Sequence, residues 1–246
     1  IAACIMLPLC MVFARKPPAL ETLNAAEDLD GTDSQGNARR GARKSDTSLS
    51  MFQLQMVLCA AIIGCCISMS LPLAHLVAHA TDKGLPLTDA VTVLSVTLMA
   101  AFVSRVLLVG FLSDRFGGLW ALFAFSALQA AMVGLLTASD SVAVLYIVGI
   151  GFGLGYGGIF PVYAVIVREY MPPQEAGRRT GIVFLFGALA MGFGSWMGGA
   201  LFDSTGSYTT PFLLGVAANC VNLVIVGMLL TRTKKSEPPE PVGAAA

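Results

Sequence analysis

Charge is what this sequence has least of. Asp, Glu, Lys and Arg make up 12% of its 246 residues, while 56% are hydrophobic; a soluble domain carries about 25% charge. Phe52–Thr81, Phe116–Ser139, Ser141–Val167, Thr180–Phe202 and Ser204–Thr231 hold no charged residue. A further run, Asp89–Leu112, has Arg105 as its one interior charge. Each matches or exceeds the ~20 apolar residues that carry a helix across a ~30 Å hydrocarbon core. That excludes a water-soluble fold. The formal net charge is zero, which removes the basic field that would recruit nucleic acid. Histidine is nearly absent, with His75 and His79 the two present. No His-Glu-x-x-His, paired acids or Ser/His/Asp set occurs within the runs, so neither a metal site, a cofactor nor an enzyme is expected. The six cysteines (Cys4, Cys10, Cys59, Cys65, Cys66 and Cys220) lie inside apolar runs without ligand spacing and read as small packing residues. No Asn-x-Ser/Thr sequon is present.

What is there is a set of membrane helices. The apolar runs predict six spans, at about 53–78, 89–112, 119–138, 142–167, 180–202 and 211–231. Before them, residues 1–14 are apolar and stop at Arg15-Lys16. They are too short to span, and a signal peptide would carry its basic residues ahead of the run. They read as the end of a truncated transmembrane helix. Residues 15–52 mix both charge signs with Gly, Ser and Pro17-Pro18, the composition of a disordered linker. Residues 232–246 form a polar tail. Of the fifteen basic residues, thirteen fall in the linker, in the second and fourth inter-span loops and in the tail, leaving Lys83 and Arg105. Lys and Arg stay on the cytoplasmic side, so linker and tail are expected there, and six spans satisfy the alternation where five would break it.

Glycine concentrates in two spans. Gly153 and Gly157 in one, and Gly194 and Gly198 in another, are four apart, a spacing that lets helix backbones approach closely in lipid. Gly153-Leu-Gly155-Tyr-Gly157-Gly158 also fits G-x-G-x-x-G, but that fingerprint needs a strand before it and a helix N-terminus after it, and here it lies within a span. Pro161 predicts a kink that a transporter could use as a bend.

Arg105 is the sharpest functional signal. It precedes Asp114 by nine residues, which places it roughly 13 Å inside the boundary, beyond full snorkelling. A guanidinium at that depth needs an aqueous cavity or a partner, and it offers a fork for a carboxylate. The alternative is an ion pair with a helix outside this sequence. His75 is a second candidate, for substrate or proton, near the outer end of the first span; His79, nearer the loop, ranks below it. Asn219, Asn222 and Gln129 read as interhelical hydrogen-bonding residues, and Tyr146, Tyr156, Tyr163 and Trp196 as cavity-lining or packing residues.

The turn Gly110-Phe-Leu-Ser-Asp114-Arg115-Phe-Gly117-Gly118 joins two spans. Asp114 can cap a helix N-terminus, and Arg115 can pair with Glu169 or Glu175. This turn resembles the cytoplasmic loop motif of the major facilitator superfamily, in its second-half copy between the eighth and ninth helices. Arg168-Glu169-Tyr170 and Glu175-Ala-Gly-Arg178 resemble that superfamily's cytoplasmic charge clusters. The resemblance covers nearly the whole sequence. It implies an all-α membrane protein, the six-helix C-terminal half of a twelve-helix fold whose N-terminal half is missing here, set in the plasma or inner membrane. It further implies a gating motif of Gly110, Asp114, Arg115, Gly117, Glu169 and Arg178. Arg105 is similar to the substrate-carboxylate Arg of monocarboxylate and oxalate/formate transporters. The implied activity is secondary transport of a small organic anion by alternating access, with a proton or counter-anion as coupled partner. Departures are Gly118-Leu119 where the motif ends in basic residues, Ala101 where animal-type members have Asp, and an Arg105-to-Gly110 spacing one residue longer. A non-transporting sensor or scaffold of the same fold is the alternative.

Overall fold

The computed structural model describes residues 49–138 and 141–233. The helix expected at 1–14, most of the linker and most of the tail lie outside them. The described chain is built of helices: α1 (Met51–Asp82), α2 (Leu87–Val103), a π-helical turn (Ser104–Leu108), α3 (Val109–Phe116), α4 (Gly118–Thr137), α5 (Val142–Gly157), α6 (Ile159–Tyr170), α7 (Pro173–Thr205) and α8 (Thr209–Arg232). With α2–α3 and α5–α6 each counted as one span, they make six helices long and apolar enough to cross a membrane.

These helices overrun the expected spans. α1 starts at Met51, inside the segment read as linker, because Ser50 and Gln53 close a reciprocal capping box there. α7 starts at Pro173 rather than near 180 and includes Glu175, Arg178 and Arg179. Charge marks where the hydrocarbon ends; the backbone ladder continues past it into the polar zone. Proline opens α7 where its missing N–H costs nothing. Gly206 closes it at φ +66°, the left-handed stop that glycine takes without penalty.

α1 is the central post. Within its most apolar stretch 61% is buried, against 28% for α2–α3, α7 and α8, so those helices present broad faces outward. α1 is contacted closely because small residues line its neighbours. A methyl at Gly187 would sit 2.9 Å from Ile62, one at Gly194 would strike Ser70, and one at Gly215 would sit 2.6 Å from Leu71. α5 carries two such stripes. Gly149, Gly153 and Gly157 fit against Val93, Thr97 and Ala101 of α2, while Gly151 and Gly155 fit against Met132 and Gln129 of α4. Between hydrocarbon-facing helices this dispersion-driven fit, rather than water expulsion, drives association.

One polar network crosses the packed centre. Gln129 Nε2 donates to the Cys65 carbonyl at 3.0 Å and Asn219 Nδ2 to the Ser126 carbonyl at 3.0 Å. Asn222 Nδ2 donates to Asn219 Oδ1 at 3.0 Å, and the Tyr163 hydroxyl to Asn222 Oδ1 at 3.5 Å. All of these side chains are fully buried. The network ties α1, α4, α6 and α8 through the interhelical amides read from the sequence.

Candidate functional site

Arg105 lies on the π turn between α2 and α3. A π turn takes one residue more than an α turn, and such turns gather at functional sites. The Arg105 Nε donates to the Gly157 carbonyl at 3.0 Å, and its guanidinium carbon stands 5.9 Å from the Tyr156 ring centroid. The preceding Ser104 Oγ donates to the Leu154 carbonyl at 2.7 Å. No carboxylate among the described residues lies within ion-pair distance of Arg105. Its side chain is exposed on a face it shares with exposed Phe102 and Val106. The guanidinium is therefore anchored along its Nε edge on an otherwise exposed side chain.

Pro161 is the third residue of α6, just past the break at Gly158. Gly153 and Gly157 lie where α5 meets α2, closer to Thr97 and Ala101 than any side chain would permit. Sequence reasoning treated Arg105, Pro161 and Gly157 as separate features. The structure joins Arg105 to the Gly157 carbonyl, four residues before Pro161, sets it against Tyr156, and adds Ser104 beside it. The signal was available: the carbonyl that a proline at 161 leaves without a helical donor belongs to residue 157.

The connecting turn has a different set of partners from those expected. Gly117, at φ +87° and ψ 159°, turns the chain from α3 into α4 in a region essentially reserved for glycine. The carboxylate at the α4 N-terminus is that of Glu169, whose Oε2 accepts from the Gly118 N–H at 3.2 Å. Asp114 stands exposed one residue before Arg115. Arg115 lies over the Phe116 ring at 5.7 Å. Glu175 pairs within α7, at 2.6 Å with Arg179 and 3.8 Å with Arg178. The tighter partner is thus Arg179 rather than Arg178, because the i+4 position reaches back over the turn. Gln55 Nε2 also donates to the Arg179 carbonyl at 3.2 Å, fastening α1 to α7. Gly110 has nothing within 4 Å of where a Cβ would stand.

His75 does not meet Arg105. Its Nε2 lies 3.0 Å from the Ser195 carbonyl and its ring 5.3 Å from that of Tyr208, in a space kept open by Gly198. Gly194 fits one turn earlier against Ser70 and Ile67. His79, ranked lower from sequence, is the more enclosed of the two. It is 4% exposed, with Nε2 at 3.3 Å from the Leu136 carbonyl and edge-on contacts to Tyr208 and Phe212. Distance along the chain misled here: residues four apart share a helix face, and α1 continues to Asp82. Tyr208, between α7 and α8, has its phenol pKa raised by burial, then by the carboxylates of Asp82 and Asp203.

Comparison with known proteins fits this architecture. Monocarboxylate transporter 13 of Rattus norvegicus is 28% identical over 163 residues, covering 65% of this chain and 37% of that protein. Its Bos taurus counterpart matches equally, 28% over 163 residues. The chain therefore spans little more than a third of these relatives. Among solved structures, an auto-inhibited POT family peptide transporter superposes with a TM-score of 0.59 at 17% identity, over 76% of this chain and 39% of that one; this likeness concerns the fold. The Major Facilitator Superfamily model matches residues 56–246. This multi-pass, all-helical membrane chain belongs to the Major Facilitator Superfamily.

Proposed function

We propose that this chain is the second half of a secondary transporter that moves a small organic anion across the membrane by alternating access, with Arg105 holding the carboxylate. One observation carries the reading: a guanidinium deep in a span, with no acid within ion-pair distance among the described residues, is fixed by its Nε to a backbone carbonyl. A charge at that depth is tolerated when a wet cavity or a ligand compensates it. The relatives named monocarboxylate transporter 13 support the substrate class. The other half, of about equal size, would cover the Arg105 face and rock against this one about a midplane site. In that cycle Pro161 and the glycine-lined α5 and α7 provide the give. The Gly110–Gly117 turn, Asp114, Arg115, Glu169 and the Glu175–Arg178–Arg179 cluster latch one side. The basic residues put linker and tail in the cytoplasm of a cell or inner membrane. A proton or counter-anion would be coupled, with His75 the candidate proton group.

The test uses protein from the complete reading frame in proteoliposomes, with radiolabelled small monocarboxylates as probes. Arg105→Gln should lower uptake about 30-fold or more, and Arg105→Lys should retain part of it. Unchanged kinetics in Arg105→Gln would remove the residue from the site. Saturable binding without accumulation against a gradient would turn the reading to a sensor of the same fold.

A further inference from the structure

A helical carbonyl accepts from the N–H four residues on. Residue 161 is proline and has no N–H, so the Gly157 carbonyl has no helical donor. Gly158 directs its own N–H to the Tyr156 carbonyl, which deprives the Leu154 carbonyl in the same way. Two orphaned acceptors then stand where α5 ends, deep in a span where no water is at hand to meet a carbonyl. Both are met from the facing helix by consecutive residues, Arg105 through Nε at 3.0 Å and Ser104 through Oγ at 2.7 Å. Neighbours on a regular helix diverge by about 100°. The π turn that begins at Ser104 winds more slowly and aims both side chains at α5.

We infer that Ser104 and Pro161 are positioning residues for Arg105: the proline creates the acceptor that fixes the guanidinium by its Nε edge, so the anion fork and the α5–α6 bend form one coupled unit. An anion that draws the guanidinium off α5 strips Gly157 of its donor and loads the bend. A bend that moves carries the fork with it. The brace stands on the Arg105 and Ser104 hydrogen bonds to α5; only its link to a ligand rests on the anion reading above.

A double-mutant cycle on the full-length protein tests both parts. Pro161→Ala returns an N–H to the Gly157 carbonyl, and Arg105→Met removes the cross-helix donor. Without any anion, Arg105→Met should lower the unfolding midpoint in detergent by about 4–8 °C when residue 161 is proline, and by about 1 °C when it is alanine. Folding of Arg105→Met only in the Pro161→Ala background is the same coupling at its largest. Equal shifts in both backgrounds overturn the brace. If Arg105→Met folds in neither, Arg105→Lys takes its place. Its single ammonium reaches the carbonyl or a carboxylate, so small-monocarboxylate binding should weaken at least about tenfold with Pro161 in place and recover in part once Pro161→Ala is added. Equal loss in both backgrounds again overturns the brace. Coupled midpoints with monocarboxylate binding unaffected uphold the brace and sink the anion reading instead.

Discussion

At the scale of single residues, the turn between α3 and α4 shows two adjacent glycines needed for unrelated reasons. Gly117 is needed for its backbone, at φ +87° and ψ 159°. Gly118 is needed for space, since a methyl there would lie 2.8 Å from Ile166 Cγ1 and 2.9 Å from the Glu169 carboxylate that caps α4. Gly117→Ala should therefore cost about 1–3 kcal/mol. Gly118→Ala should cost about 1–3 kcal/mol as well, because the fully buried Ile166 must give way along with the Glu169 carboxylate. Gly110→Ala meets nothing within 4 Å and should gain about 0.5–1 kcal/mol from helix propensity. Thermal unfolding of the three variants in one detergent gives the order. A Gly110→Ala protein that is as stable as the parent yet transports poorly would show that its open flank is covered in another state. The motif was visible in sequence as a string of residue types. Its partners were not, because Glu169 against Asp114, and Arg179 against Arg178, differ only in which side chain the helix phase brings round.

At the scale of elements, α5 behaves as a wedge whose two glycine stripes seat it between α2 and α4. The four-residue spacing told that close packing occurs, but could not tell which helix each stripe faces, since any smooth flank would serve. Gly153 is the tightest seat, where an added Cβ would strike the Thr97 carbonyl and sit 2.9 Å from the Ala100 Cβ. Gly153→Val should destabilise by about 1–3 kcal/mol and push α2, with Arg105, away from α5. The same change at Gly192 of α7, where nothing lies within 4 Å, should stay within about 0.5 kcal/mol. Unfolding midpoints separate the two, and equal losses would show that the stripe is not a seat. The π turn falls where the resemblance implied a spacing from Arg105 to Gly110 one residue longer than usual. Composition could not say whether that residue would be looped out, would shift the helix phase or would be wound into a wider turn. Hydrogen bonds from Ser104 and Arg105 to α5 select the wider turn.

At the scale of the whole molecule, six-helix alternation follows from charge-free length alone, and the cross-helix contacts sort the connections into two ends. Gln55, Gly118, Glu169 and Arg179 meet at one end; His79, Leu136 and Tyr208 meet at the other, where α1 ends at Asp82 beside Lys83. Which end faces the cytoplasm is a matter of charge rather than of packing. The first end gathers Arg115, Arg168, Arg178 and Arg179, while the second has Lys83. Retention of Lys and Arg predicts that the first end lies inside. Cysteines placed one at a time at Lys83 and Arg178 test this against a membrane-impermeant maleimide, in a background with Cys4, Cys10 and the exposed Cys220 replaced by Ser; Cys59, Cys65 and Cys66 are buried and stay. Lys83→Cys should label on intact cells, and Arg178→Cys only after permeabilisation. Reversed labelling would place the Arg-rich end outside and break the link between the basic residues and the cytoplasm. Labelling of both from one side would contradict the alternation itself, since three membrane crossings separate residue 178 from residue 83.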